Sequence, residues 1–81
     1  RGGKHVIVCR GLTETRKVFE LFGIDDATES VTMAGFVAEL VGRVPQAGDS
    51  VDQGGVRYTV LRASARRAER IEVRKLGENS S

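Results

Sequence analysis

The stretch that decides the fold is TMAGFVAELVGRVPQAGD, residues 32–49. Its apolar residues recur every three or four positions, the pattern of an amphipathic helix of about three turns. Those residues are Met33, Phe36, Val37, Leu40, Val41 and Val44. Thr32 is the expected N-cap of this helix. Pro45 is its expected end, because proline lacks the N–H that a helix interior needs.

Downstream of this helix the apolar residues alternate with polar ones, as they do in β-strands. Gly54 and Gly55 together predict a hairpin turn. A second turn is expected over residues 63–67. Three strands are therefore predicted: residues 50–53, a strand around Val56, Tyr58 and Val60, and a strand around Ile71 and Val73.

Upstream, residues 5–10 form an apolar β-branched run. Because this run is apolar on both faces, it predicts an internal strand. A short helix follows, with Thr13 as the expected N-cap and Gly23 just past its end. Charged residues four apart on the two helices suggest ion pairs. The expected pairs are Arg16 with Glu20 and Glu39 with Arg43.

The predicted order of elements is strand, helix, helix and then three strands. Helices that cluster in sequence beside antiparallel strands are typical of an α+β fold. We therefore expect two helices packed on one face of a mostly antiparallel four-stranded sheet.

The chain has 81 residues, of which 40% are hydrophobic and 30% charged. This length supports one small hydrophobic core and excludes two domains. A single cysteine excludes a disulfide within the chain. The two ends are polar and rich in Gly and Ser, so residues 5–75 are the expected domain. Residues 1–4 and 76–81 are the expected linker or tag residues, and the chain is expected to be a piece of a longer protein.

Positive charge is concentrated near the end of the chain. The net charge is +2, but segment 57–75 carries seven basic and two acidic residues. Four arginines lie close to the predicted second turn: Arg62, Arg66, Arg67 and Arg70. They are candidates for contacts with an anionic partner, since arginine binds phosphate in a bidentate manner. The alternative is a solvated basic edge that protects the sheet from aggregation. Nucleic acid is not expected, because aromatic side chains are not interleaved with these arginines.

Other reactive residue types are too few to form a catalytic or metal site. Cys9 is expected to be a small buried hydrophobe, and His5 a surface residue at the start of a strand. One Cys and one His cannot build a zinc site. Asp25, Asp26 and Glu29 are expected to form a solvated acidic loop, because carboxylates alone are a weak magnesium signal. We therefore expect no enzyme activity and no resident metal.

Several of these segments resemble the CorC/HlyC transporter-associated domain. Residues 32–49 are similar to its T-x-x-G start, its E-L-x-G-R-hydrophobic-P centre and its G-D end. Residues 54–61 resemble its G-x-R-F/Y-T-V-L strand, and residues 66–71 its R-R-I-x-R-V hairpin. Gly11, Leu12 and the helix that ends near Gly23 match its first helix, although Glu14 stands where the family often has proline. The resemblance covers roughly residues 5–75.

The resemblance implies a cytoplasmic C-terminal domain of an integral-membrane protein linked to magnesium and cobalt efflux, or of a hemolysin-like protein. It implies a non-catalytic regulatory role, with a CBS-domain pair and a membrane domain of the same chain as partners, and a homodimer as a further assembly. The family fold resembles part of a FAD-binding fold. The alternative function is therefore a flavin- or adenine-nucleotide-binding module, with Gly35, Gly42 and Arg43 as candidate contacts. No cofactor is expected in the isolated domain.

Overall fold

The computed structural model describes residues 6–25 and 28–76. The elements, in chain order, are β1 (Val6–Arg10), α1 (Thr15–Phe22), α2 (Met33–Val41), β2 (Ser50–Gln53), β3 (Val56–Ala63) and β4 (Ala68–Lys75). The strands form one antiparallel sheet in the order β1-β4-β3-β2. The α+β class and the order of elements predicted from the sequence are confirmed. Of the expected linker residues 1–4 and 76–81, Leu76 alone is described, and its N–H donates to the carbonyl of Gly55 at 2.9 Å. His5 also lies outside the described residues.

Both helices bury their apolar sides against one face of the sheet. Eleven residues make up the core: Val18, Phe22, Met33, Phe36, Val37, Val56, Tyr58, Val60, Ala68, Ile71 and Val73. The ring of Phe36 lies edge-on to Phe19 and to Tyr58, with centroids 5.1 and 5.3 Å apart. In strand β3, the buried residues Val56, Tyr58 and Val60 alternate with exposed Arg57 and half-buried Thr59. The alternation read from the sequence therefore identifies the face that carries the helices.

The other face of the sheet has no covering layer among the described residues. Strand β1 lies at one edge of the sheet, so the predicted internal position is wrong. Ile7 and Cys9 pack against the core, whereas Val6 and Val8 are 38% and 54% exposed. The prediction failed because apolar side chains such as Val6 and Val8 were taken as buried, although they lie on the open face of the sheet.

The two helices differ in how they begin. The Oγ1 of Thr32 accepts a hydrogen bond from the N–H of Gly35 at 3.2 Å, which confirms the predicted N-cap of α2. The N-cap of α1 is Glu14, with no side-chain capping bond. Thr13, the predicted cap, instead accepts from the N–H of Arg10 at 3.2 Å. Thr13 thus stabilises the turn that follows β1 rather than the helix.

Helix α2 ends earlier than its apolar spacing predicts. Gly42 adopts a left-handed conformation (φ 89°), and its N–H donates to the carbonyl of Ala38 at 2.8 Å. Val44 therefore lies beyond the helix and is 45% exposed. A left-handed glycine ends a helix because the next residues leave its axis.

The predicted ion pairs along the helices do not form. Arg16 lies 3.5 Å from Glu14 rather than pairing with Glu20. The carboxylate of Glu39 accepts hydrogen bonds from Thr28 Oγ1 at 3.0 Å and from Ser30 Oγ at 2.6 Å. Glu39 therefore fastens the loop before α2. Arg43, its predicted partner, lies past the end of α2.

Candidate functional site

Three arginines form a row across the open face of the sheet. Arg10 on β1 is directly opposite Arg70 on β4, and Arg70 is directly opposite Arg62 on β3. Cys9 packs toward the helices, so Arg10, the next residue in the strand, belongs to the open face. Directly paired residues share a face, and neighbouring strands are about 4.8 Å apart. The row therefore spans roughly two strand spacings, and we call it the arginine row.

A cavity of about 530 Å³ lies at the end of the sheet that carries this row. Ten residues line it: Arg10, Gly11, Leu12, Arg62, Ala63, Ser64, Arg67, Ala68, Glu69 and Arg70. Its volume falls within the range of small-molecule sites. Four arginines and one glutamate give the lining a formal charge of +3. We call this feature the arginine cavity.

The arginines of this cavity differ in their pairing from Arg43 and Arg57. Arg57 lies 2.8 Å from the carboxylate of Asp52, and Arg43 lies 2.9 Å from that of Asp49. Within residues 6–25 and 28–76, the side chains of the four cavity arginines have no hydrogen bond or ion pair. Like charges directly opposite each other in a sheet are destabilising. The row therefore carries a like-charge repulsion that no ion pair offsets.

The turn between β3 and β4 is held by Ser64. Its Oγ accepts from the N–H groups of Arg66 and Arg67, at 3.2 and 3.3 Å. The N–H of Ser64 donates to the carbonyl of Arg67 at 2.9 Å. The pairing of β3 with β4 shifts register on either side of Arg62. Such bulges redirect side chains near sites.

The opposite wall of the cavity is fixed by Gly11. Its N–H donates to the carbonyl of Glu69 at 3.0 Å, and its own carbonyl accepts from Ala34 at 2.8 Å. A Cβ at this position would collide with the carbonyl oxygen of Ala68. The N–H of Met33 also donates to the carbonyl of Thr13, at 2.9 Å. The first turn of α2 therefore holds the turn that carries Leu12 in place.

Of the four arginines singled out in the sequence, the structure brings three together. Arg62, Arg67 and Arg70 line the cavity, whereas Arg66 is exposed outside its lining. Sequence reasoning missed Arg10, which only the pairing of β1 with β4 brings to the site. No local motif marks it. Its partnership with Arg70 depends on the strand order.

The residues proposed for flavin contact lie elsewhere and have structural roles. A Cβ at Gly35 would lie 3.2 Å from the Oγ of Ser30, so this glycine allows close contact between α2 and the preceding loop. Gly42 ends α2. Arg43 pairs with Asp49, whose pKa is lowered first by the N–H of Gln46 and then by Arg43. A cofactor role for Gly35, Gly42 and Arg43 stays a prediction.

The remaining reactive groups form no second site in the part of the chain that is described. Burial raises the pKa of the Cys9 thiol to about 11. Among residues 6–25 and 28–76, no cluster of three or more His, Cys, Asp or Glu residues is arranged to hold a metal ion. Asp26, part of the predicted acidic loop, lies outside these residues. Within the same ranges, no helix has both the length and the apolar character needed to cross a bilayer.

Together these features define a small α+β domain with an open sheet and a basic cavity at one end. The model of the CorC_HlyC family, described as a transporter associated domain, matches residues 1–77. The chain therefore belongs to the CorC_HlyC family, and the resemblance noted in the sequence is confirmed. Among curated proteins, no match to the chain was found.

Several solved structures share this fold. A region from Neisseria meningitidis MC58, described as associated with a Mg²⁺ and Co²⁺ transporter (CorC), is 28% identical with a TM-score of 0.81. That match covers 88% of this chain and 89% of the other. A CorC_HlyC domain from Haemophilus ducreyi has a TM-score of 0.81 at 16% identity and 96% coverage of both chains. A hemolysin domain from Enterococcus faecalis V583 has a TM-score of 0.77 at 21% identity and 89% coverage of both.

Proposed function

We propose that this chain is a non-catalytic, regulatory C-terminal domain of an integral-membrane protein that exports magnesium or cobalt, or of a hemolysin-like protein. The observation that carries the proposal is the family match over residues 1–77. The Neisseria relative, described as a region associated with a Mg²⁺ and Co²⁺ transporter, supports the choice of ion. The domain modulates ion transport rather than carrying ions itself.

In this proposal the domain lies in the cytoplasm, next to a CBS-domain pair and the membrane domain of the same protein. It changes transport by contacting one conformation of its neighbours more strongly than another. A domain can shift such an equilibrium only by its difference in binding free energy between the two states. The basic surface of Arg62, Arg66, Arg67 and Arg70 is the proposed contact region. Pairing of two copies of the domain is the further assembly proposed.

The test is an efflux measurement on the full-length protein that carries this chain. Cells or vesicles are loaded with Mg²⁺ or Co²⁺, and efflux is compared with and without residues 5–75. We expect the deletion to change the efflux rate several-fold while the amount of protein in the membrane stays the same. An unchanged rate for both ions, at equal protein levels, would refute the regulatory role.

A second candidate function is a flavin- or adenine-nucleotide-binding module. Its support is the 530 Å³ arginine cavity, whose apolar wall includes Leu12 and Ala63. Titration of the chain with FMN and FAD, followed by flavin fluorescence and by amide NMR shifts, tests this function. If neither signal changes at millimolar flavin, the flavin module is excluded.

A further inference from the structure

We infer that the arginine cavity binds the diphosphate group of a small molecule, with Arg10, Arg70, Arg62 and Arg67 as the residues that hold it. The first argument is the geometry of the arginine row. Three guanidinium groups project from adjacent, directly paired positions of β1, β4 and β3. Two neighbouring arginines can bind one phosphate group, whereas a diphosphate is long enough to contact all three. Arginine forks match phosphate oxygens in a bidentate geometry.

The second argument is the unbalanced charge of the cavity. Its lining carries a formal charge of +3, with Glu69 as its one carboxylate. A phosphate monoester carries about −1.5 to −2 at pH 7, so one phosphate leaves part of this charge uncompensated. A diphosphate compensates nearly all of it. Because Arg10, Arg62 and Arg70 repel one another across the strands, a bound anion also relieves a cost already present in the folded domain.

The third argument is the shape of the site, which suits a small molecule. The cavity lies between two turns whose backbones are hydrogen-bonded in place. Gly11 fixes one turn through its bonds to Glu69 and Ala34, and Ser64 fixes the other through the N–H groups of Arg66 and Arg67. A preorganised pocket spends little free energy on ordering when its ligand binds.

The inference deepens the proposed function, because the diphosphate ligand would be the regulator of transport that the domain binds. Its regulatory meaning rests on that function, but binding itself does not. Binding is measured on the 81-residue chain alone, where no transport takes place. An unchanged efflux rate therefore refutes the regulatory role and says nothing about diphosphate binding. A failure to bind pyrophosphate refutes the diphosphate site and says nothing about the regulatory role.

The experiment measures thermal unfolding and isothermal titration with inorganic pyrophosphate at constant ionic strength. Sodium chloride and inorganic phosphate are the comparison salts. At pyrophosphate concentrations about 100-fold above Kd, we expect Tm to rise by roughly 10–20 °C. We expect phosphate to bind at least 10-fold more weakly. Equal stabilisation by sodium chloride, or equal affinity for phosphate and pyrophosphate, would overturn the diphosphate assignment.

The variants separate binding from folding. Arg70→Gln removes the central arginine of the row, so we expect it to raise Tm without ligand and to weaken pyrophosphate binding at least 10-fold. A variant that simply unfolded would do the opposite to Tm. Arg16→Gln is the matched control, because it removes the same charge from α1 and should leave binding unchanged. Glu69→Gln should tighten binding a few-fold. Full pyrophosphate affinity in R70Q would refute the site.

Two further arms identify the source of the diphosphate. If ADP binds more tightly than pyrophosphate and AMP does not bind, the ligand is a nucleoside diphosphate whose base lies against Leu12. If ADP and pyrophosphate bind equally, the group is recognised without its nucleoside. Binding to phosphatidylserine vesicles with no response to pyrophosphate would overturn the inference in favour of a membrane contact.

Discussion

Gly11→Ala adds only one methyl group, yet the structure predicts a large loss in the free energy of unfolding. The new Cβ would collide with the carbonyl oxygen of Ala68 and lie 3.1 Å from the Cβ of Ala34. Because the obstacle is backbone, β1 and β4 must separate locally. Overpacking of this kind costs about 1–3 kcal/mol. The hydrogen bonds of Gly11 to Glu69 and Ala34 are weakened as well, at about 1 kcal/mol each.

The expected loss in free energy of unfolding is therefore about 3 kcal/mol. A chain of this length has a total stability of about 4–12 kcal/mol, so the variant should still fold. Urea unfolding followed by far-UV circular dichroism measures the loss, because the chain contains no tryptophan. In a thermal melt the same change lowers Tm by roughly 10–25 °C.

Gly42→Ala is the matched control for this experiment. Nothing lies within 4 Å of a Cβ at Gly42, and its φ is +89°, so alanine there adds backbone strain alone. That strain costs about 1–2 kcal/mol. We expect Gly11→Ala to cost clearly more than Gly42→Ala. If the two variants lose the same free energy, the close approach of Gly11 to β4 does not exist in solution.

Three further predictions follow from the core and from the titratable groups. F36L should lower the free energy of unfolding, measured in urea, by about 2 kcal/mol, and F19L by about half of that. The reason is that Phe36 makes two edge-to-face contacts and Phe19 makes one. Equal losses in the two variants would contradict this packing. The pKa values of Asp49 and Asp52 are lowered in the fold, so their contribution to stability is present above about pH 4 and is lost as the pH falls further. In D52N the acid side of the Tm–pH profile should be flatter than in the parent chain. Iodoacetamide at pH 8 should alkylate Cys9 slowly in the folded chain and quickly in urea, because burial raises the pKa of its thiol. Fast alkylation of the folded chain would rule out that burial.

The local elements of this domain were predictable because their signals are local. The N-cap Thr32 and the apolar spacing from Met33 to Val41 are confirmed in α2. The hairpin at Gly54 and Gly55 is confirmed by the pairing of β2 with β3. The end of α2 was predicted too late, because Val44 continues the apolar spacing. The spacing of apolar residues does not reveal that the backbone of Gly42 adopts a left-handed conformation.

The candidate site was only partly predictable. Arg62, Arg67 and Arg70 are close in sequence, so a hairpin brings them together and local charge reveals them. Arg10 and Leu12 come from the other end of the chain. Nothing in their own sequence context marks them as residues of a site, since their place at the cavity depends on β1 lying beside β4.

The sequence by itself determined the fold class, the order of the elements, the family and the basic character of the last hairpin. These depend on periodicity, turn residues and motif spacing within short stretches of chain. Only the tertiary structure decided that β1 is an edge strand and that Arg10 completes a row with Arg70 and Arg62. It also decided that one sheet face has no covering layer among residues 6–25 and 28–76. The physical reason is that strand order depends on non-local hydrogen bonds and on burial of the whole core. No single segment encodes these, because each strand can pair along either of its edges.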